Sequence, residues 1–251
     1  MLYVTAWYLT ERGRYQEAEV LYRQALHIRE QQLGLEHPDV ARSLYSLANL
    51  YKEQGKYEQA EPLFQRALRI NEQQLGTEHP HVSYPLNGLA NLYHEQGKYG
   101  EAEPLYQRAL RIDKQQLGME HPEVAHPLTG LANLYLEQGK YEEAEPLYQR
   151  ALRIREQQLV PEHPDLAQTM HDLARYWEAL GNSEEARTLY TRALTIREQA
   201  LGTHHPKTAQ TRTRLIALLH AMGQHEDAAH LEAAHSEQRT HEEEQKAHPE
   251  E

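Results

Sequence analysis

The sequence contains no cysteine, and this absence excludes disulfide bonds, thiolate catalysis and metal sites with sulfur ligands. Long apolar runs are also missing, since no stretch approaches the roughly 18 residues that a membrane-spanning helix needs. The N-terminus has no basic leader of the kind that begins a signal peptide. These absences fit a reducing compartment, so we expect a cytoplasmic protein with no membrane association.

The sequence also lacks an excess of positive charge. Acidic residues outnumber basic ones, and the net charge at pH 7 is −12. Nucleic acid phosphates demand a basic face, and DNA and RNA are therefore not expected partners. The sequence also lacks a nucleophile elbow, a phosphate-binding glycine loop and a dinucleotide fingerprint, which argues against common classes of enzyme. We expect a protein without catalytic residues, cofactors or metal ions.

Repetition is the main positive feature of the sequence. The residues from Gly130 to Ile154 recur almost unchanged from Gly88 to Ile112, and again from Ser46 to Ile70. His-Pro pairs fix the period at 42 residues, and their histidines are His37, His79, His121, His163 and His205. A constant period of this length is typical of proteins in which similar units stack one upon another.

Each unit is predicted to form two antiparallel helices, helix A and helix B. In one unit, apolar residues from Leu86 to Tyr93 have the 3- and 4-residue spacing of a helix face and predict helix A. A second such set, from Tyr99 to Ile112, predicts helix B. Gly97 lies between them, where glycine adopts a positive φ at little cost and caps helix A. Small residues such as Ala90 and Ala102 let the two helices approach to about 8–10 Å.

The His-Pro pairs are expected to start each helix A, because proline fits the first helical turn. The five histidines belong to successive units and cannot converge on one ion, so they are expected to cap or pack at the turn. Pro85 and Pro127 lie deeper in their helices and are expected to bend helix A or delay its start.

These units are predicted to fill residues 1–235. The array comprises a partial repeat at 1–36, full repeats at 37–78, 79–120, 121–162 and 163–204, and a divergent terminal repeat at 205–235. Residues 236–251 contain no large apolar side chain and are expected to form an acidic polar tail that is frayed or disordered. Apolar residues, among them Trp7 and Tyr8, crowd the partial repeat. They indicate either a missing upstream segment, which we favour, or a surface for contact such as self-association.

The unit resembles the tetratricopeptide repeat (TPR), a pattern of about 34 residues. The positions that carry the resemblance are Leu47, Ala48, Tyr51, Gly55, Tyr57, Ala60, Phe64 and Ala67. The longer unit of 42 residues, with its Leu-Gly-x-x-His-Pro junction, looks like the variant found in kinesin light chains and in bacterial NB-ARC signalling proteins. This resemblance implies an all-α fold, a right-handed superhelical solenoid of stacked antiparallel helix hairpins.

In such a solenoid the inner face of each helix A lines a concave groove, and its residues follow a 3-4-3 spacing. The predicted peptide-binding groove consists of Arg42, Tyr45, Asn49, Lys52, Tyr84, Asn87, Asn91, His94, His126, Thr129, Asn133, Leu136, His171 and Arg175. Asn49, Asn91 and Asn133 form a ladder in which each amide offers a donor and an acceptor to the backbone of an extended peptide. The alternative is that these asparagines only bond to neighbouring helices.

Three functions remain open from the sequence. The first is a non-catalytic scaffold that binds a peptide or protein ligand in the groove. The second is the sensor arm of a larger nucleotide-binding signalling protein whose catalytic part lies upstream, and the third is a structural or self-assembling spacer. Kinesin light chains carry paired asparagines where this chain has Asn87-Gly88 and Thr129-Gly130, so their cargo specificity is not implied.

Overall fold

The structure is a computed structural model that describes residues 2–233. Every regular element within these residues is helical and none is a strand, which confirms the predicted all-α class. The acidic tail predicted at 236–251 lies outside the described residues.

Helix A and helix B alternate along the chain, and each pair forms one hairpin. The helices A are α1 (Leu2–Glu11), α3 (Pro38–Glu53), α5 (Pro80–Glu95), α7 (Ala125–Glu137), α9 (Pro164–Ala179) and α11 (Pro206–Ala221). The helices B are α2 (Tyr15–Leu33), α4 (Tyr57–Leu75), α6 (Tyr99–Gln116), α8 (Tyr141–Gln158), α10 (Ser183–Leu201) and α12 (225–233). A 3₁₀ turn at Pro122–Val124 precedes α7.

The chain divides into two compact units, Met1–Leu159 and Val160–Glu251. In the first unit α1 to α8 pack as successive hairpins, and α5 also contacts both α3 and α7. In the second unit α9 packs on α10, and α10 packs on α11. Hairpins therefore stack within each unit, as the repeat pattern predicted.

Gly97 ends helix A with the backbone conformation predicted for it. Its φ of 73° lies in the left-handed region, where glycine has no steric penalty. The Gly97 N–H donates to the carbonyl of His94 at 2.9 Å, and the Lys98 N–H donates to that of Tyr93 at 2.8 Å. Together these two bonds close the helix in a Schellman motif and turn the chain toward helix B. The counterparts Gly55, Gly139 and Gly181 have φ values of 71°, 71° and 78°.

The junction histidines cap helix A, or at His121 the 3₁₀ turn before it, as predicted. The Asp39 N–H donates to His37 Nδ1 at 3.1 Å. Equivalent bonds of 3.1 to 3.3 Å form at His79, His121, His163 and His205. Each imidazole thus satisfies an amide that the first helical turn leaves without a partner, and its role is structural.

An aromatic ring on helix B determines how closely the next repeat packs. The ring of Tyr106 lies against the next helix A at Gly130, where an added Cβ would lie 2.3 Å from Tyr106 Cε1. Phe64 lies in the same way against Gly88, and the corresponding distance is again 2.3 Å. Atoms at this distance overlap, so only glycine permits this approach with the rings where they are.

An internal proline delays the start of helix A in one repeat and not in another. α5 begins at Pro80 with Pro85 inside it, so this helix does not start late, and the alternative expectation of a bend stays a prediction. α7 begins only at Ala125, after the 3₁₀ turn, as Pro127 led us to expect. The two prolines occupy the same position of the unit, and the cause of the difference therefore lies elsewhere.

The first hairpin exposes an apolar surface, as its apolar residues led us to expect. Val4, Trp7 and Tyr8 on α1 are 66%, 54% and 48% exposed. Ile28 on α2 is 41% exposed, whereas its counterpart Ile70 in the next repeat is fully buried. The use of this surface in self-association stays a prediction.

Candidate peptide-binding groove

The predicted groove residues lie on four helices A. Arg42, Tyr45, Asn49 and Lys52 are on α3, Tyr84, Asn87, Asn91 and His94 are on α5, and His126, Thr129, Asn133 and Leu136 are on α7. Because α5 contacts both α3 and α7, these three helices present their residues side by side, on what we call the helix A surface. His171 and Arg175 are on α9, in the second compact unit.

The depth of these side chains varies more than their spacing suggested. Arg42 and His126 are exposed, and most of the others on the helix A surface are half-buried. Thr129 and Leu136 are only 6% and 8% exposed, and the Thr129 hydroxyl donates to the Ala125 carbonyl at 2.8 Å. Thr129 and Leu136 were predicted to face an open groove, and this prediction is corrected because both are buried. Helical spacing shows the direction in which a side chain points but not how deeply it is buried.

His171 is also buried, with an exposure of 1%. Its ring packs against Tyr190 with the centroids 5.3 Å apart, and its Nδ1 lies 3.1 Å from the Thr211 hydroxyl. Burial lowers the pKa of His171 to about 4, so the ring is neutral near pH 7. His171 therefore belongs to the interior of the second unit, which corrects its predicted place in the groove, whereas Arg175 is half-buried.

Two asparagines of the ladder are already bonded to helix B of their own hairpin. Tyr106 OH donates to Asn91 Oδ1 at 2.5 Å, and Tyr148 OH donates to Asn133 Oδ1 at 2.6 Å. Holding the amide oxygen toward the tyrosine turns the amide nitrogen away from it. Within residues 2–233 neither nitrogen donates to another protein group, and neither is enclosed without a partner. Each amide thus uses its acceptor for the fold and keeps its donor available.

Asn49 is arranged differently, because Phe64 takes the place of the tyrosine. Phe64 has no hydroxyl group, and Asn49 Nδ2 donates instead to the Tyr45 carbonyl at 3.1 Å. The first amide of the ladder is therefore tied to its own helix.

A cavity of about 410 Å³ opens between α1, α3, α4 and α5. It is lined by Tyr3, Pro38, Ala41, Arg42, Tyr45, Asn71, His81, Tyr84 and Pro85. The rings of Tyr45 and Tyr84 have centroids 6.0 Å apart, and the Arg42 guanidinium lies 5.2 Å from the centroid of the Tyr3 ring. Burial raises the pKa of Tyr84 to about 12, so its hydroxyl is a neutral donor near pH 7.

Of the nine lining residues, sequence reasoning placed only Arg42, Tyr45 and Tyr84 in the groove, and the six that it missed include Tyr3, Asn71 and His81. Tyr3 could have been found from its register, because it precedes Tyr45 by the 42-residue period. Asn71 lies near the end of a helix B, and His81 lies in the first turn of helix A, outside the 3-4-3 pattern. No signal in the sequence pointed to these two.

Polar pairs join successive repeats at the other end of the helix A surface. Lys52 Nζ lies 3.3 Å from Glu53 Oε1 and 3.2 Å from Glu95 Oε1 of the next repeat. In the same register, His94 Nε2 lies 3.1 Å from Glu137 Oε2. Burial by itself would lower the pKa of Lys52, but Glu53 and Glu95 outweigh burial and raise it. Lys52 is therefore charged and engaged, so a ligand would compete for it with carboxylates of the protein.

The comparison with family models agrees with the repeat geometry. The tetratricopeptide repeat model matches residues 6–73, 48–115, 83–157, 123–198 and 176–237. The chain belongs to the tetratricopeptide repeat family. Proteins of this family generally act as scaffolds for protein–protein interaction, and their fold is typically non-catalytic. No curated protein sequence matches the chain.

Solved structures extend this result to the kinesin-light-chain-like kind of TPR protein. BtubC (BKLC) from P. vanneervenii has 30% sequence identity and a TM-score of 0.61, and the match covers 82% of this chain and 81% of that one. A Podosopora anserina kinesin light chain candidate with nearly identical TPR-like repeats has 29% identity and a TM-score of 0.61, covering 80% and 94% of the two chains. A thermophilic TPR protein from Thermus thermophilus, at 22% identity and a TM-score of 0.58, shares the fold, and the match covers 87% and 97% of the two chains.

Two other kinds of site are absent from the same part of the chain. Among residues 2–233 no three or more histidine and carboxylate side chains lie close enough together to hold a metal ion. No helix of this part is long and apolar enough to span a membrane.

Proposed function

We propose that this TPR protein is a non-catalytic cytoplasmic scaffold that binds an extended peptide, or an extended segment of a partner protein, along the helix A surface. The observation that carries the proposal is the way in which two nearly identical repeats of the same chain differ.

The repeats 79–120 and 121–162 share most of their residues and the same hairpin. They differ at His81/Glu123, Ser83/Ala125, Tyr84/His126, Asn87/Thr129, His94/Leu136, Gly100/Glu142, Asp113/Arg155, Lys114/Glu156, Gly118/Val160 and Met119/Pro161. Half of these ten differences fall within helix A and its first turn, and three of them are predicted groove positions.

Some exposed positions of helix B are unchanged, although the exposed Gly100 is replaced by Glu142. Glu101, Gln107 and Arg111 are exposed, and the repeat 121–162 has the same residues at the corresponding places. Substitutions at exposed positions are nearly neutral for stability, so stability does not explain the change from Tyr84 to His126. This difference lies at a groove position that is at least partly exposed in both repeats, and it supports a different ligand contact in each repeat.

The chemistry of the surface suits a peptide. The nitrogens of Asn91 and Asn133 can each donate to a peptide carbonyl, and their tyrosine partners hold them in place before binding, which lowers the entropy lost on association. The cavity beside Tyr45 and Tyr84 has space for one apolar or aromatic side chain, with Arg42 at its rim. Backbone contacts would then supply affinity, and the cavity would supply specificity.

The proposal is tested by selecting peptides from a random display library on the full chain. Each enriched peptide is then measured against Arg42→Glu and against Arg153→Glu, which changes an exposed arginine of helix B. We expect Arg42→Glu to weaken binding at least about tenfold, or about 1.4 kcal/mol, and Arg153→Glu to leave it unchanged.

The sensor-arm and spacer hypotheses predict other results. A spacer enriches no peptide, and binding that is equally sensitive to both substitutions places the ligand outside the helix A surface. Either result would overturn the proposal.

A further inference from the structure

In several repeats a side chain near the end of helix B donates to the first turn of the next helix A. Arg29 Nη1 donates to the Asp39 carbonyl at 3.2 Å, and Arg197 Nη1 donates to the Lys207 carbonyl at 2.7 Å. In both cases the acceptor lies ten residues after the donor. The repeat period places Asn71, Asp113 and Arg155 at the same position as these arginines.

Asn71 shows what this position does for a helix with an internal proline. In an α-helix the carbonyl of His81 would accept from the N–H of residue 85, four residues on, but Pro85 has no N–H. Asn71 Nδ2 donates to the His81 carbonyl at 2.7 Å and supplies the missing donor. The helix accordingly begins at Pro80, before both residues.

Asp113 takes this position in the next repeat, where the same problem occurs. Pro127 removes the N–H that would bond the Glu123 carbonyl in an α-helix, and an ionised carboxylate cannot donate either. Here the chain forms the 3₁₀ turn Pro122–Val124, and α7 begins at Ala125. The repeat without a donor is thus the repeat whose helix A starts late.

The surroundings of Asp113 favour its neutral form. The residue is 1% exposed, and neither carboxyl oxygen makes a hydrogen bond to any described residue. Burial raises the pKa of Asp113 to about 7, the nearby Ser83 offsets part of this rise, and Glu123 adds to it. A neutral carboxyl group has one O–H donor. This donor can take the role that the amide N–H of Asn71 has in the preceding repeat.

The other titratable groups around Asp113 come from each element packed against it. Tyr84 faces it from α5, and Glu123 faces it from the 3₁₀ turn. His126 on α7 has a charged group near each ring nitrogen. Its Nε2 lies 3.9 Å from Glu123 Oε2, and its Nδ1 lies 3.1 Å from Nη2 of Arg155 on α8. On α6 itself burial lowers the pKa of Lys114, the residue next to Asp113. The pKa of Tyr84 lies far above 7, whereas the pKa of Asp113 lies near 7.

We propose that a proton on Asp113 decides whether α7 begins at Pro122 or at Ala125, and so sets where His126 lies on the helix A surface. With the proton, the carboxyl O–H donates to the Glu123 carbonyl and the first turn becomes α-helical. Without it, the 3₁₀ turn persists. The effect on ligand binding rests on the proposed function, whereas the change in the helix does not.

The direction of the pH dependence follows from the pKa. The folded protein holds the Asp113 proton up to about pH 7, whereas an unfolded aspartate loses it near pH 3.8. The unfolded chain therefore binds fewer protons in this window, so the contribution of Asp113 to stability falls as the pH rises from about 4 to about 7.

The test compares the wild type with Asp113→Asn, which has a permanent donor, at pH 5.5 and pH 8. Amide hydrogen exchange at residues 123–126 and 128, normalised for the intrinsic effect of pH, is expected to be about tenfold faster in the wild type at pH 8 and unchanged in Asp113→Asn. The reciprocal variant Asn71→Asp is expected to give the first turn of α5 the same pH dependence.

Two results would overturn the inference. One is wild-type exchange at the amides of 123–126 and 128 that does not change with pH, and the other is an equal change in Asp113→Asn. The carboxyl carbon chemical shift of Asp113 is an independent measurement, and it should titrate near pH 7. The affinity of a selected peptide should also depend on pH in the wild type and not in Asp113→Asn. If no peptide binds while the exchange pattern holds, the proposed function fails and the proton-dependent helix start stands.

Discussion

The ring of Tyr106 lies against the backbone of Gly130, the first residue of the most regular stretch of the next repeat. The hydroxyl of the same Tyr106 donates to Asn91 on the helix A surface. One side chain therefore connects the stacking of repeats with the orientation of an amide proposed to bind the ligand. A change at either contact is expected to affect the stability of the stack.

Gly130→Ala is expected to destabilise the first unit by about 1–3 kcal/mol, because the new methyl group would overlap the Tyr106 ring. Urea unfolding measures the effect. Gly100→Ala is the matched control, since no atom lies within 4 Å of its Cβ position and its φ is not positive. That control is expected to stabilise helix B by up to about 1 kcal/mol. Equal midpoints for the two variants would show that the contact between Tyr106 and Gly130 does not limit packing.

Asn91→Ala is expected to cost about 1–3 kcal/mol, because it leaves the buried hydroxyl of Tyr106 without its acceptor. Asn49→Ala is the natural control, since Phe64 has no hydroxyl and Asn49 bonds only within its own helix. Its cost is expected to be below about 1 kcal/mol. Thermal unfolding of both variants checks the difference, and an equal loss of stability would contradict the role given to the hydroxyl.

The features that the sequence predicted well are local ones. The φ of Gly97 and the cap at His37 depend on residues within one turn of the chain, and their spacing is visible in the sequence. Pro127 predicted the late start of α7, but the sequence did not predict that α5 starts on time with Pro85 inside it, because the two helices differ in a contact with another helix, at Asn71 and Asp113. The groove was predicted as a stripe on helix A, and the spacing could not show that Thr129 is buried or that the cavity includes Asn71.

The neutral state of His171 predicts a pH dependence of stability. Burial lowers the pKa of His171 to about 4, while the unfolded value is 6.5. Between these values the unfolded chain binds a proton that the folded chain does not, so the contribution of His171 to stability falls as the pH falls from about 6.5 to about 4.

His171→Gln keeps a polar side chain and removes this titration. Chemical denaturation from pH 7 to pH 4 should show a smaller loss of stability in His171→Gln than in the wild type. Parallel pH profiles for the two proteins would contradict the buried, neutral state of this ring.

The central claim is that a peptide bonds to the donor side of the asparagine ladder. The most direct measurement is the NMR spectrum of the side-chain NH₂ groups of Asn91 and Asn133, recorded while a selected peptide is added to the full chain. We expect both signals to shift with the same dissociation constant as the peptide, while exposed residues of helix B such as Gln107 stay unchanged. Saturation of the protein with peptide without any shift at Asn91 and Asn133 would contradict the account.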